Sequence, residues 1–484
     1  MRRRLFRWRS RAHARQARLD RLRQNEGTLL DRLYGTAYEG APFPPTRDFD
    51  ARESAEVLRF VLRLGRELFL AGASTRDIQT AVVAVTAAWG MQELEVDISG
   101  RSLQVQYAPP ERAPVVMLIV LGSEDTRDLS SLTALERLTV RIVGTQLSPA
   151  DAKAALDRLV QAPAQWPWWF ALCGGAVLAA MLCVLASGTV RAALLAPLLF
   201  LVTNRAAWAL SRTGLPSFYV TVVQTALLMA GTMALIDFGV LSGREGASTV
   251  AANVILMLPI LTVVSLTEDA IDGFRSMAAA RSVSLLMFFA AMAGGLLTVA
   301  FLLRGLDSDA RDTTLAALPV WLTLVTSGIG ALGNAVFMGG GPRLVPWAMA
   351  AALIGAGVKM CGTAQLDWSV PLATGLATIA MGAVSAVIGP RAAVPARAVL
   401  IPGIAGSVLP GPDLYRSVLQ LVLGVPGAHQ YLVLTLASVA AIGVGAVLGS
   451  LLGAGSERKW SRRSPGTTRA VNAEAADAQD WAAR

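Results

Sequence analysis

Residues 254–277 read VILMLPILTVVSLTEDAIDGFRSM. An apolar run suited to a bilayer is interrupted by Pro259 and closed by three acids, Glu268, Asp269 and Asp272. A second stretch, RAVLIPGIAGSVLPGPDLYRSVL at 397–419, has the same plan: apolar lead-in, Pro402, small residues, an acidic turn, then an aromatic-Arg-Ser step. Proline has no amide N–H, and its ring clashes with the carbonyl four residues earlier. Pro259 should therefore free the carbonyl of Ile255, and Pro402 that of Ala398. At membrane depth a freed carbonyl is tolerated only inside protein or beside an aqueous cavity. The pair predicts two interrupted helices at a cavity, with Gly403, Gly406, Pro410 and Gly411 loosening the second. The plainer reading, prolines that merely kink helices for packing, suits one proline better than two at matching positions.

The composition names the solvent. Hydrophobic residues make up 54% of the 484 and charged residues 16%, against roughly 45–50% and 25% in soluble domains. Cys173, Cys183 and Cys361 lie inside apolar runs, and His13 and His429 are the two histidines. That pattern points away from a disulfide framework, a metal site or a bound cofactor. The formal charge of +9 comes from arginines crowded near the ends, without interleaved aromatics, so it points to topology in a membrane instead of nucleic acid. The opening MRRRLFRWRSRAHARQARLDRLR lacks the apolar core of a secretory signal; it suits a disordered basic arm or one that touches anionic lipid.

Residues 51–165 predict a small cytoplasmic α/β domain. In ARESAEVLRFVLRLGRELFLAGAST, Val57, Val61, Leu64 and Leu68 share a helical face, flanked by Leu58 and Phe69, opposite Arg52, Glu56, Arg59, Arg63 and Arg66. A second helix, TRDIQTAVVAVTAAWG, precedes ELEVDIS and SLQVQYA, a hairpin about Gly100-Arg101. PVVMLIVLG is too short to span and suits a third strand. Ser148-Pro149 opens a helix through Val160.

From Trp168 onward ten apolar runs follow, at about 169–186, 191–210, 216–236, 249–266, 281–303, 315–338, 344–362, 369–388, 397–409 and 429–453. Most approach the ~20 residues needed to cross ~30 Å of hydrocarbon. The ninth, thirteen residues long, reaches only about 20 Å at ~1.5 Å per residue, so it must be broken, re-entrant or extended by 414–425. An even number of spans puts both termini on one side, and the basic arm with SERKWSRR at 456–463 makes that side cytoplasmic. The arginines of the short loops fall on both sides and decide little.

The runs also repeat. PWWF at 167–170 matches PVWL at 319–322, Arg191 matches Arg343, Pro216 matches Pro371, Pro259 matches Pro402, and Phe274-Arg275-Ser276 matches Tyr415-Arg416-Ser417. Matches in a common order predict five spans plus five. Five is odd, so the second half lies upside down, the inverted-repeat plan of many secondary transporters. The expected organisation is a basic arm at 1–50, the α/β domain at 51–165, membrane repeats at 166–305 and 306–454, and a polar tail at 455–484.

Within this frame the acids are candidates for a coupling proton or a substrate ammonium. Asp269 and Asp272, three residues apart, should share a helix face; a solvated loop whose acids pair with Arg275 and Arg281 is the other reading. Asp413 and Arg416 are the counterparts in the second half. Asn204, Gln224, Asn253, Asn334 and Lys359 are polar residues within spans, where interhelical hydrogen bonding is the common use, and Lys359 sits near enough to a helix end to snorkel. Glycines such as those of SGIGALGNAV suit close helix packing. No GxSxG or HExxH is present, so nothing recommends an enzyme.

LGRELFLAGAST, AWGMQELEVDISGRSLQVQYA, TALERLTVRIVGTQLSPADAKAALDRL, LPILTVVSLTEDAIDGFRSMAAAR and IPGIAGSVLPGPDLYRSVL together resemble the threonine/serine exporter family of bacterial inner membranes, over about residues 55–453. The resemblance implies export of small amino acids driven by the proton gradient, with a cytosolic N-terminal domain. It also implies an acid-glycine step after the first proline-bearing span, where Asp272-Gly273 stands. A homo-oligomer is compatible with it. The alternative from another class is a membrane-anchored binding or regulatory protein whose spans only hold it; a transporter of a different small polar metabolite is a third.

Overall fold

A computed structural model describes residues 33, 36, 38, 41 and 43–461, apart from 101, 109–112, 123–127, 187, 303–317 and 410–427. The basic arm up to residue 32, the tail beyond 461, and Pro410, Gly411, Asp413 and Arg416 lie outside the described residues. The described chain forms two compact units, one of residues up to 122 with 131–163, the other of residues 128–130 with 164 onward.

The first unit begins with α1 (Ala51–Leu70) and α2 (Thr75–Ala88). Asp50 caps α1 by accepting the N–H of Glu53, and Ser74 caps α2 by accepting that of Asp77. The predicted stripe holds: Val57, Leu58, Val61, Leu64, Leu68 and Phe69 are all buried. They pack on a three-stranded antiparallel sheet of order β1 (Leu94–Ser99), β2 (Ser102–Tyr107), β3 (Val115–Val120). The register pairs Ser99 with Ser102 across the expected hairpin, and Gly100 takes φ +54° there. Leu94, Val96 and Ile98 stand opposite Tyr107, Val105 and Leu103 on the buried face.

A helix that the hydrophobic pattern should have revealed, α3 (Leu129–Thr145), precedes α4 (Pro149–Gln161). Its Leu132, Leu135, Leu138 and Ile142 are buried at helical spacing. Ser148 caps α4 with Pro149 in its first turn, as predicted. Arg63 of α1 forms an ion pair with Asp157 of α4.

The second unit is helical: α5 (Trp168–Leu185), α6 (Val190–Ser211), α7 (Ser217–Asp237), α8 (Gly243–Met257), α9 (Ile260–Asp272), α10 (Arg275–Leu302), α11 (Val320–Phe337), α12 (Val345–Gln365), α13 (Val370–Ala392), α14 (Ala396–Ser407) and α15 (Ala428–Ser461). Eight of these are long and apolar enough to cross a bilayer, nine spans if α8 and α9, bent by 50° at their junction, count as one. This is a multi-pass membrane protein. The ninth run is the short apolar helix α14.

Contacts follow one list in both groups. Helix α5 packs on α6, α6 on α7, and α7 on α10, with α8 against α5, α6 and α7; α11 packs on α12, α12 on α13, and α13 on α15, with α14 against α11, α12 and α13. The groups meet at α5 and α11, which run antiparallel: Gly174 lies against Gly333 and Phe337, while Leu178 lies against Gly330. Lipid tails are as apolar as leucine, so such helices are held by close van der Waals contact at small residues. A Cβ on Gly174 would stand 2.6 Å from the Gly333 carbonyl oxygen, and one on Gly333 would stand 2.6 Å from the Gly174 oxygen. Gly445, Gly449 and Gly453 bring α15 onto the backbone of α13 in the same way.

Gly174→Val or Gly333→Val is expected to lower stability by about 1–3 kcal/mol through overpacking against backbone, read as a lower unfolding midpoint in detergent. Gly294→Ala, where a Cβ would meet nothing within 4 Å, should leave that midpoint unchanged or slightly raised.

Candidate functional site

The break between α8 and α9 is built by Leu258-Pro259. The residue before a proline is pushed out of the helical region, and Leu258 takes φ −59°, ψ 128°. Pro259 follows at φ −80°, ψ 74°, after which α9 starts. The Ile255 carbonyl, expected to be free, accepts the Leu258 N–H at 3.1 Å, and the Leu258 carbonyl accepts the Ile260 N–H at 2.9 Å. Two tight turns thus reuse groups that the proline displaced.

The second element is arranged differently from the sequence expectation. Helix α14 runs unbroken through Pro402 and stops at Ser407. Helix α8 ends at Met257, two residues before Pro259, whereas α14 ends five residues beyond Pro402, so the two prolines do not hold matching places in their helices. Gly406 and Gly403 explain the unbroken helix: a Cβ on Gly406 would stand 2.6 Å from the Ala331 nitrogen, and one on Gly403 3.1 Å from the Ala351 Cβ. These glycines, just after the proline, seat α14 on α11 and α12. At its end Lys359 Nζ of α12 donates to the Val408 carbonyl at 3.3 Å. The lysine therefore reaches a helix C-terminus inside the bundle, where a cation is favoured.

Between these ends lies a cavity. It encloses about 380 Å³ out to its mouth, of which about 20 Å³ can take the centre of a water-sized sphere, room for a water molecule. Leu178 and Leu182 of α5, Leu258 and Ile260 at the break, Phe337 of α11 and Leu409 after α14 give it apolar walls. One lining side chain is a carboxamide: Asn334 of α11, 5% exposed. Its Nδ2 is buried without a hydrogen-bond partner among the described residues. Leaving such a donor unpaired costs about 1–3 kcal/mol, and groups of this kind usually find water or a ligand. Asn253, the other buried asparagine, does not line the cavity; its Nδ2 donates to the Ala196 and Thr249 carbonyls at 3.2 and 3.0 Å, tying α8 to α6.

The acids separate. Asp269 is 1% exposed and pairs with Arg281 of α10 at 3.4 Å. Glu268, side chain 20% exposed, pairs with Arg397 of α14, whose guanidinium also donates to Ser265 Oγ. Asp272 and Arg275 are exposed at the junction with α10, so Asp269 and Asp272 do not share one environment. Gly273 at φ +92° closes α9 directly after Asp272. Arg397 was legible only as a loop charge; that it opens the short apolar helix was the available signal. The paired acids sit eight and nine residues beyond Ile260, roughly 12 Å along α9 from the cavity at ~1.5 Å per residue.

Comparisons with known proteins fit this arrangement. The sequence profile of a family described as "Putative threonine/serine exporter" matches residues 59–303, just over half of the 484. A "Probable threonine/serine exporter" of Mycobacterium tuberculosis is 27% identical over 415 residues, 83% of this chain and 77% of its own. A "Threonine/serine exporter" of Corynebacterium glutamicum is 26% identical over 423 residues, 84% of this chain and 85% of its own. No solved structure gives a significant match.

Removing one member of a buried ion pair is strongly destabilising, about 3–5 kcal/mol, because the other charge is left behind. Arg281→Met is therefore expected to cut the yield of folded protein sharply, and Arg281→Met combined with Asp269→Asn to restore most of it. Size-exclusion profiles of the detergent-extracted protein check both; equal yields for the single and double variants would refute the pairing.

Proposed function

The chain belongs to the threonine/serine exporter family, and from that premise we propose that it exports threonine and serine from the cytoplasm across a bacterial inner membrane, coupled to proton entry. In this reading the two five-helix groups are an inverted repeat with both termini cytoplasmic, and residues 51–165 are a cytoplasmic domain. The matching contact lists and the antiparallel α5–α11 crossing support the repeat. Two halves that meet around a cavity can rock about it to give alternating access.

The observation that carries the proposal is the unpaired Asn334 amide in an apolar cavity between the ends of α8, α9 and α14. A threonine side chain offers a methyl group to the apolar walls and a hydroxyl oxygen to that donor. The N-terminal end of α9 and the C-terminal ends of α8 and α14 supply partial charges for the carboxylate and the ammonium. The cavity as it stands has room for water, so on this reading it widens when the halves move to admit an amino acid.

For coupling, Glu268 and Asp269 are the stronger candidates over Asp272, because they are enclosed and tied to arginines. Protonating Glu268 removes the charge that holds Arg397 and leaves Ser265 Oγ as its hydrogen-bond acceptor on α9, which weakens the tie between α9 and α14. The carboxylate then changes partner as the halves change position, which is what a coupling group must do. Substrate and proton would thus be handled at two places on the same helices.

The test is efflux of labelled threonine and serine from proteoliposomes of the full-length protein, with and without an imposed pH gradient. Wild type should show gradient-dependent flux, Glu268→Gln should lose the dependence, and Asp272→Asn should keep it. Asn334→Leu should slow threonine efflux about tenfold, as loss of a hydrogen bond worth about 1–1.5 kcal/mol would. No flux of either amino acid from folded protein would overturn the proposal.

A further inference from the structure

The end of α6 carries a cationic cluster that transport does not use. Arg205 lies with its guanidinium carbon 5.0 Å from the centroid of the Trp168 ring and 5.1 Å from that of Trp208, and Arg212 lies 3.8 Å from the Trp208 ring. Trp168 and Trp208 are 66% and 46% exposed. Arg205 Nε is buried without a hydrogen-bond partner, and among the described residues neither arginine is paired with a carboxylate.

This cluster faces outward. Only 22% of the apolar window of α6 is buried, the smallest share among the eight long helices, and Leu194, Leu198 and Val202 form its exposed stripe. At about 100° per residue, Arg205 falls within roughly 20° of the midline of that stripe, and Arg212 within roughly 40°. The stripe is thus apolar along most of the helix and becomes basic near its end. Arg205 sits six residues before Ser211, the last residue of α6, about 9 Å below the helix end at ~1.5 Å per residue. An arginine at this depth snorkels toward the headgroup layer. Trp168 opens α5 and Trp208 lies in the last turn of α6, so both rings flank the arginines at one end of a helical hairpin, the level that indoles favour.

We infer that Arg205 and Arg212, framed by Trp168 and Trp208, bind the phosphate of an anionic phospholipid. Two guanidiniums present forks of donors suited to phosphate oxygens, and the rings keep them oriented by cation–π contact. The apolar stripe of Leu194, Leu198 and Val202 gives an acyl chain a track leading to the same point, which a free phosphate ion could not exploit. With two cations and no paired acid, the site favours a headgroup of net negative charge over a zwitterionic one. It goes beyond the transport reading and stands independently of it.

The experiment titrates phosphatidylglycerol into the full-length protein in phosphatidylcholine–detergent mixed micelles and follows the unfolding temperature. Wild type should rise with phosphatidylglycerol and not with added phosphatidylcholine. Arg205→Gln with Arg212→Gln should need about twenty-fivefold more lipid for half the rise, and Arg212→Gln alone about fivefold more, at about a factor of five per arginine at an anionic surface. The single variant, at an exposed position, keeps the test valid if the double variant does not fold. An unchanged phosphatidylglycerol dependence in the variants would overturn the inference. So would an equal rise with inorganic phosphate, which would mark a free-anion site.

Discussion

Inside hydrocarbon no water is present to take up a backbone N–H or C=O, and this governs where the second unit can leave helical structure. The chain departs from a helix at membrane depth at Leu258-Pro259, where protein surrounds it on the α5, α11 and α14 sides. Even there the displaced groups are reused, the Ile255 carbonyl by Leu258 and the Leu258 carbonyl by Ile260. Pro197, Pro390 and Pro402 sit inside helices that continue through them. A proline alone therefore does not make a break. The stretch ILMLPILTV has no glycine to press it against a neighbouring backbone, whereas Gly403 follows Pro402 at once and packs against α12 and α13.

What holds such a bundle together is contact at short range. Burying leucine against leucine gains little when the alternative is lipid, so stability comes from backbones brought close enough for dispersion and weak polar contacts to add up. Gly174 and Gly333 do this between the two groups, and Gly445, Gly449 and Gly453 do it within the second. These contacts are directional in consequence. A Cβ at the α5–α11 crossing would meet backbone atoms that cannot rotate away, so the crossing point is fixed while the helix ends farther off are less constrained.

Much of the fold was legible in the sequence because bilayer thickness sets a length and a helix face sets a period. The apolar runs matched the helices to within about five residues, apart from the fourth, which is split into two helices and begins early at Gly243, the fifth, which begins early at Arg275, and the tenth, whose helix runs on to Ser461. The amphipathic stripe of α1 and the Ser148-Pro149 start of α4 were read correctly. Helix α3 was missed although Leu132, Leu135, Leu138 and Ile142 carry the same period. The site was less legible, for a physical reason. Proline marks a place where a helix can break, but packing on the far side decides whether it does, and that is non-local. Likewise Glu268 and Arg397 are 129 residues apart, and no local pattern says that they meet. Asn334 was visible only as a polar residue in a span, indistinguishable from Asn253, which turned out to tie two helices together.

The separation of the cavity from the ion pairs constrains how they could communicate. Helix α9 has Ile260 and Leu261 at the cavity and Ser265, Glu268 and Asp269 at its other end. Helix α14 has Arg397 at its start and Ile401 and Ala405 at the cavity. Each is short, each has one end in each place, and the Glu268–Arg397 pair links them. An α-helix resists compression along its axis because every turn is hydrogen-bonded, so a change at one end moves the other as a rod would. In the proposed mechanism, loss of the pair on protonation leaves only the Arg397–Ser265 hydrogen bond at the charged end, so the two rods can shift there and their cavity ends move in response. No wire of side chains across the intervening distance is required; the helices themselves are the connection, and the flexible point is the Leu258-Pro259 break at which α9 is hinged.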